Sequence, residues 1–106
     1  MIVKKGASID GCRPEILVAA ITKIAPIFLK HDRIAVITSG SEKYKHSAKR
    51  SAHYRGDALD FRHRFFRSMD KKAEVLQEIS EALGPNFVCV LEKTHYHIHY
   101  APVYED

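Results

Sequence analysis

Residues 51–60 read Ser-Ala-His-Tyr-Arg-Gly-Asp-Ala-Leu-Asp, a polar turn that leads into a short alternating segment. The second half alternates small or apolar side chains with polar ones, as in a β-strand with one exposed face. Gly56 lets the backbone turn tightly between His53 and this strand, and Ala58 leaves the face around Asp60 uncrowded. An imidazole and a carboxylate, both common metal ligands, are therefore expected side by side.

The flanking sequence predicts two helices and three further strands. Apolar residues recur at spacings of three and four in two segments, as in amphipathic helices. Pro14 suits the first turn of the first helix, whereas Pro26 should distort or end its last turn. The predicted helices are residues 13–29 and 69–83, and the predicted strands are residues 34–38, 57–62, 87–91 and 96–100. This order predicts one α+β domain over residues 1–106, with a small antiparallel sheet of about four strands and helices packed on one face.

Composition is that of an ordinary globular protein, with 45% hydrophobic and 28% charged residues. The sequence has no apolar run of the roughly 20 residues that a membrane span needs, and its first residues lack a secretory pattern. We therefore expect synthesis as a cytoplasmic protein without a membrane partner. The two cysteines, Cys12 and Cys89, lie far apart and predict neither a disulfide framework nor a thiolate metal site.

Charge is unevenly distributed along the chain. The net charge is +4, yet residues 43–67 carry eight Lys or Arg against two Asp, which leaves the rest near −2. This basic segment would favour an anionic partner. Nucleic acid is an alternative partner, but Phe61, Phe65 and Phe66 lie outside recognised stacking motifs and the helices lack a recognition pattern.

A second motif lies near the C-terminus, where residues 92–99 read Glu-Lys-Thr-His-Tyr-His-Ile-His. Side chains alternate along a strand, so His95, His97 and His99 should share one face while Tyr96 and Ile98 take the other. One of these histidines would join the imidazole and carboxylate of the first motif. Three such ligands with one open position are typical of catalytic zinc.

Ser51-x-His53-x-x-Gly56-x-Ala58-x-Asp60 resembles the signature of the zinc D-alanyl-D-alanine carboxypeptidases, murein endopeptidases and phage endolysin peptidases. These enzymes share a fold with the Hedgehog signalling domain. With the Ile-Thr-Ser-Gly strand and the His-x-His ending, the resemblance covers residues 34–102. It implies a zinc peptidase from a phage or prophage that hydrolyses peptidoglycan stem peptides or another anionic peptide, after release at lysis or carriage in a virion.

The same resemblance implies the zinc ligands. His53 and Asp60 would be two of them, and His97 would be the third, because Glu92-x-x-His95-x-His97 matches the family's ending without a gap. His99 is the alternative third ligand, since His97-Ile98-His99 aligns equally naturally with the usual His-Ile-His.

Glu92 would act as general base and then general acid, and His95 would hold the oxyanion or share the proton work. A straight strand would point Glu92 away from the histidine face unless the turn intervenes. Ser51 would fix the loop by hydrogen bonding. It is not expected to act as a nucleophile, since the sequence offers no suitable general base together with a residue to orient that base. Gly56 and His46 complete the supporting set.

Family members carry an arginine shortly after the Ser-Gly turn, which holds the substrate carbonyl or carboxylate. Here that segment reads Ser-Glu-Lys-Tyr, so Lys43, Arg50 or Arg13 would have to supply the role. Hedgehog domains keep a similar site without known peptidase action. A non-catalytic, zinc-stabilised binding module is therefore the alternative function.

Overall fold

A computed structural model describes residues 1–42 and 51–104 of the chain. The domain is α+β, as predicted. In chain order its elements are β1 (Ile2–Val3), α1 (Pro14–Ala19), a π-helical turn (Ala20–Ile24), α2 (Ala25–Lys30), β2 (Val36–Ser39), β3 (Ala58–Arg62), α3 (Met69–Leu83), β4 (Phe87–Leu91) and β5 (His95–Tyr100).

The sheet is mixed and has five strands in the order β1-β2-β3-β5-β4. β1 runs parallel to β2, and the other neighbouring pairs are antiparallel. The prediction of about four antiparallel strands was therefore wrong at this edge. β1 has two exposed residues, too few to show alternation, and it is held by bonds from the Ile2 N–H to the Ala35 carbonyl (2.9 Å) and from the Lys4 N–H to the Ile37 carbonyl (2.8 Å).

The helix predicted over residues 13–29 forms with a distortion before Pro26. The Ala25 N–H donates to the carbonyl of Ala20, five residues earlier, in place of the usual four. Proline has no N–H, so a widened π turn accommodates the missing bond and the chain continues helically to Lys30. Pro26 therefore distorts the helix without ending it. Within the described residues, every helix is too short or too polar to span a bilayer.

Both helical segments pack on one face of the sheet. Helix residues such as Ile16, Phe28 and Ile79 form one buried cluster with Phe61 of β3 and Tyr96 of β5. Because side chains alternate along a strand, burying these residues places the intervening polar residues of β3 and β5 on the opposite face. The candidate site is built on that opposite face.

Candidate metal centre

Three of the predicted ligands converge on the polar face of the sheet. Asp60 lies in β3 and is paired in register with His97 of β5, while His53 approaches from the turn that precedes β3. One donor atom from each residue lies within 4.8 Å of the other two. His53 and Asp60 are buried and His97 is half-buried. The group could therefore hold a metal ion.

The separations of the donor atoms fit a small, tightly bound ion. His53 Nε2 lies 3.2 Å and His97 Nδ1 lies 3.0 Å from Asp60 Oδ1. In a tetrahedral zinc site with bonds of about 2.0–2.1 Å, neighbouring donors are about 3.3–3.4 Å apart. A carboxylate oxygen and a neutral imidazole lone pair repel at such distances, so each contact requires a proton or a metal ion between its two atoms.

The imidazole of His53 is oriented by the backbone at the end of β2. Its Nδ1 lies 2.8 Å from the Gly40 carbonyl, to which it donates, so Nε2 is directed at Asp60. Gly40 packs closely there, because a Cβ at this position would lie 2.2 Å from the Ser8 carbonyl oxygen. A hydrogen bond of this kind fixes the tautomer and ring orientation of a metal-binding histidine.

Glu42 secures this backbone, a role that the sequence did not reveal. Its side chain is buried, and one carboxylate oxygen accepts from the N–H groups of Ser8 (2.9 Å) and Gly40 (2.8 Å). The Ser39 hydroxyl donates to the other oxygen. Burial opposes ionisation of Glu42, but these hydrogen bonds outweigh it and lower the pKa of the carboxyl. The only sequence signal was an acid placed directly after Ser-Gly-Ser.

The histidine row shares one face, as its alternation predicted. His95 Nε2 lies 3.5 Å from Asp60 Oδ2, and His95 Nδ1 lies 2.9 Å from the Thr94 hydroxyl. His99 lies outside the three-residue group, and its Nδ1 is 2.9 Å from His97 Nε2. This geometry favours His97 as the third ligand, with His99 as the partner that orients its ring.

Charge within the centre favours an anionic Asp60. Burial alone would raise the pKa of this carboxyl, but hydrogen bonds from His53 and His97 and the charges of His53 and His95 lower it to about 2. Burial likewise disfavours protonated His53, yet the contact with Asp60 raises its pKa overall. Burial, followed by His97, lowers the pKa of His99. Asp60 therefore offers a full negative charge to a cation at neutral pH.

Glu92 lies on the same face as the histidines, contrary to the expectation for a straight strand. Its N–H donates to the His95 carbonyl (2.9 Å), one step beyond the Leu91–Tyr96 pair, so Glu92 is opposite His95 across the hairpin. Because the tight turn reverses the chain between Glu92 and His95, these two residues lie on the same face of the sheet. The side chain is exposed, and among the described residues its carboxylate makes no hydrogen bond or ion pair.

Two supporting residues shape the turn that carries His53. The Ser51 hydroxyl accepts from the His53 N–H (3.2 Å), as expected for a residue that fixes the loop. Gly56 has φ +78°, and a Cβ there would lie 2.1 Å from the Gly11 carbonyl oxygen. Only glycine fits both the left-handed backbone and this close approach.

The candidates for substrate binding are less well placed. Arg13 Nε lies 3.4 Å from Asp57 Oδ1, so this guanidinium already has an anionic partner immediately before β3. His46, Lys43 and Arg50 lie outside the described residues.

Comparison with known proteins identifies no relative of this chain. No protein-family model, curated protein or solved structure matches the chain. A function must therefore be argued from the residues and their geometry.

Proposed function

We propose that this protein is a zinc-dependent peptidase that hydrolyses peptide bonds of bacterial peptidoglycan and originates from a phage or prophage. The observation that carries the proposal is the convergence of His53, Asp60 and His97, three residues singled out by motif spacing, within 4.8 Å. Glu92 and His95 lie on the same face of the sheet. The donor set of two imidazoles and one carboxylate suits zinc, and three protein ligands leave a position for water or substrate.

A zinc ion held by these residues would polarise the peptide carbonyl and lower the pKa of a coordinated water toward about 7. The carboxylate of Glu92 would accept a proton from the attacking water and deliver it to the leaving amine nitrogen. His95, which lies opposite Glu92 and has its Nε2 3.5 Å from Asp60 Oδ2, would donate a hydrogen bond from Nε2 to the developing oxyanion. His99 would hold the ring of His97, and Gly40 would hold that of His53.

A second function fits one specific observation. The Glu92 side chain is exposed, and its carboxylate makes no hydrogen bond or ion pair with the described residues of the centre. A general base must come within hydrogen-bond reach of the proton that it moves, although apo geometry is often looser than that of the substrate complex. The second candidate is therefore a zinc-stabilised binding module that lacks peptidase activity.

Zinc content tests the part that both candidates share. Protein purified without chelator should contain about one zinc per chain, and an anomalous X-ray signal at the zinc edge should lie between His53, Asp60 and His97. A protein without bound metal and without affinity for zinc would contradict both candidates.

Digestion of muropeptides separates the two candidates. The peptidase predicts that wild type cleaves them and that Glu92→Gln loses cleavage while keeping its zinc. Glu15→Gln, which removes an exposed carboxylate from α1, is the matched control and should cleave like wild type. Zinc-loaded wild type that cleaves no muropeptide would favour the binding module.

A further inference from the structure

A basic pocket of about 270 Å³ lies next to the candidate metal centre and shares His95 with it. It is formed where β2, β3 and the β4–β5 turn meet the first turn of α3. Acidic side chains are missing from its lining in the described part of the chain. Five cationic side chains line it: Lys4, Arg62, Arg64, Lys72 and Lys93.

These five cations have no carboxylate partner among the described residues, although other cations of the chain do. Lys30 and Lys71, for example, form ion pairs with Glu78 and Glu74 at 3.0 and 3.2 Å. Arg62 and Lys72 are moreover half-buried. Positive charges that are partly removed from water and crowded together repel one another, so a bound anion would stabilise this arrangement.

We propose that this pocket binds a phosphate group, either free or at the end of a small ester. A phosphate carries a charge of about −1.5 to −2 at neutral pH and three acceptor oxygens, which suits several converging cations better than a single carboxylate does. The cavity has the size of a compact headgroup. Its lining contains no Phe or Tyr within the described residues, the rings on which the bases of single-stranded nucleic acids commonly stack. The inference does not depend on zinc or on peptidase activity.

The test is an amide NMR titration of the full-length chain with inorganic phosphate, phosphoserine and acetate at constant physiological ionic strength. Phosphate and phosphoserine should shift the amides of residues 62–64 and 93–95 saturably, whereas acetate at equal concentration should not. Because charged hydrogen bonds are lost, Arg62→Gln and Lys72→Gln should each weaken phosphate binding about tenfold or more. Arg62→Lys, which keeps the charge, should recover part of that loss.

Lys23→Gln is the matched control, because it removes the same charge from an exposed position in the π-helical turn. It should change the affinity by less than about twofold, since Lys23 does not line the pocket and its exposed charge is screened by salt. If Lys23→Gln lost as much phosphate affinity as the pocket variants, binding would reflect only the general attraction of a basic protein for an anion, and the proposal would be overturned. The proposal would also fail if the shifts centred on His53 and Asp60, if acetate bound as tightly as phosphate, or if a short single-stranded oligonucleotide bound far more tightly. Should Arg62→Gln not fold, Lys93→Gln on the exposed turn applies the same test.

Discussion

Asp60 contacts three histidines through its two carboxylate oxygens, at 3.2 Å from His53, 3.0 Å from His97 and 3.5 Å from His95. Without a metal, protons on the imidazoles must satisfy this buried anion, which is why the pKa values of Asp60 and His53 move apart. A divalent cation would replace those protons. Proton and metal binding at this residue should therefore compete.

Substitution of single histidines should identify the third ligand. Removing a residue that only orients a ligand weakens metal binding about 10–100-fold, and removing a ligand should cost more. We therefore expect His97→Ala to lower zinc affinity well beyond about 100-fold, and His99→Ala to stay within that range. Isothermal calorimetry with zinc measures both. If His99→Ala proved the more damaging change, the assignment of these two residues would be reversed.

Zinc affinity should fall as the pH drops. Although burial opposes it, the contact with Asp60 raises the pKa of His53 above its ordinary value, so protons compete with zinc for this imidazole at a higher pH than for a free histidine. Because imidazoles bind zinc only in their neutral form, zinc affinity should decrease further as the pH falls below about 6.5. Calorimetry in buffers of different ionisation enthalpy should detect proton release on binding. Affinity that is constant between pH 5 and 8 would argue against histidine ligands.

The ligands could be predicted from sequence because strand alternation is a local rule. Alternation placed Asp60 on one face of the predicted strand together with Arg62, and it placed the three histidines on one face of the last strand; β3 and β5 pair in register, Asp60 with His97. Glu42 and Gly40 could not be found in this way. Their contacts join segments far apart in the chain, such as the bond from the Ser8 N–H to the Glu42 carboxylate across 34 positions.

At the scale of elements, the tight turn before β3 should depend on Gly56. An alanine there would meet the Gly11 carbonyl at 2.1 Å in addition to adopting a left-handed backbone. Gly84, which ends α3 at φ +82°, is the matched control because a Cβ there meets nothing within 4 Å. We expect Gly84→Ala to lower the free energy of unfolding by about 1–2 kcal/mol and Gly56→Ala by clearly more. Urea unfolding compares them, and equal losses would show that the close contact adds nothing.

Glu42 joins the segment before α1 to the end of β2, and this link should depend on pH. The pKa of Glu42 is lowered on folding, so the ionised carboxylate stabilises the fold above its unfolded value of about 4.3, and this contribution is lost as the pH falls below it. Glu42→Gln should lower the free energy of unfolding at pH 7 by about 1–3 kcal/mol. The difference from wild type should shrink between about pH 5 and pH 3 in urea unfolding. A difference that stays constant with pH would contradict this origin.

Long, regular elements were predictable, and short ones were not. The bounds of α3 and β4 match the predicted ranges, with the Ser68 hydroxyl capping α3 through the Lys71 N–H and Gly84 following its last turn. β1 was not predicted because two residues are too few to show the alternation of a strand. It is defined by its backbone hydrogen bonds to the β2 segment. The π turn was anticipated as a distortion, since proline removes a known donor, although its form depends on packing.

For the whole molecule, the two faces of the sheet have different physical roles. One face is covered by both helical segments and supplies the buried apolar core. The other carries the metal-binding group, and the basic pocket lies at one end of the strands, where the first turn of α3 also lines it. Since β3 and β5 contribute to both faces, loss of the native sheet would disperse the ligands as well as the core. Metal binding should therefore be coupled to global folding.

Zinc should raise the thermal stability of the entire chain. A ligand that binds only the folded state at about 100 times its dissociation constant adds about 2.7 kcal/mol, which for a domain of this size corresponds to a shift in Tm of about 10–20 °C. Differential scanning calorimetry of metal-free and zinc-loaded protein measures this shift. Asp60→Asn, which removes the shared anionic donor, should abolish the shift, whereas Glu15→Gln should leave it unchanged because that side chain is exposed on α1. Equal Tm values for metal-free and zinc-loaded wild type would show that the three donors do not act as one site in the folded protein.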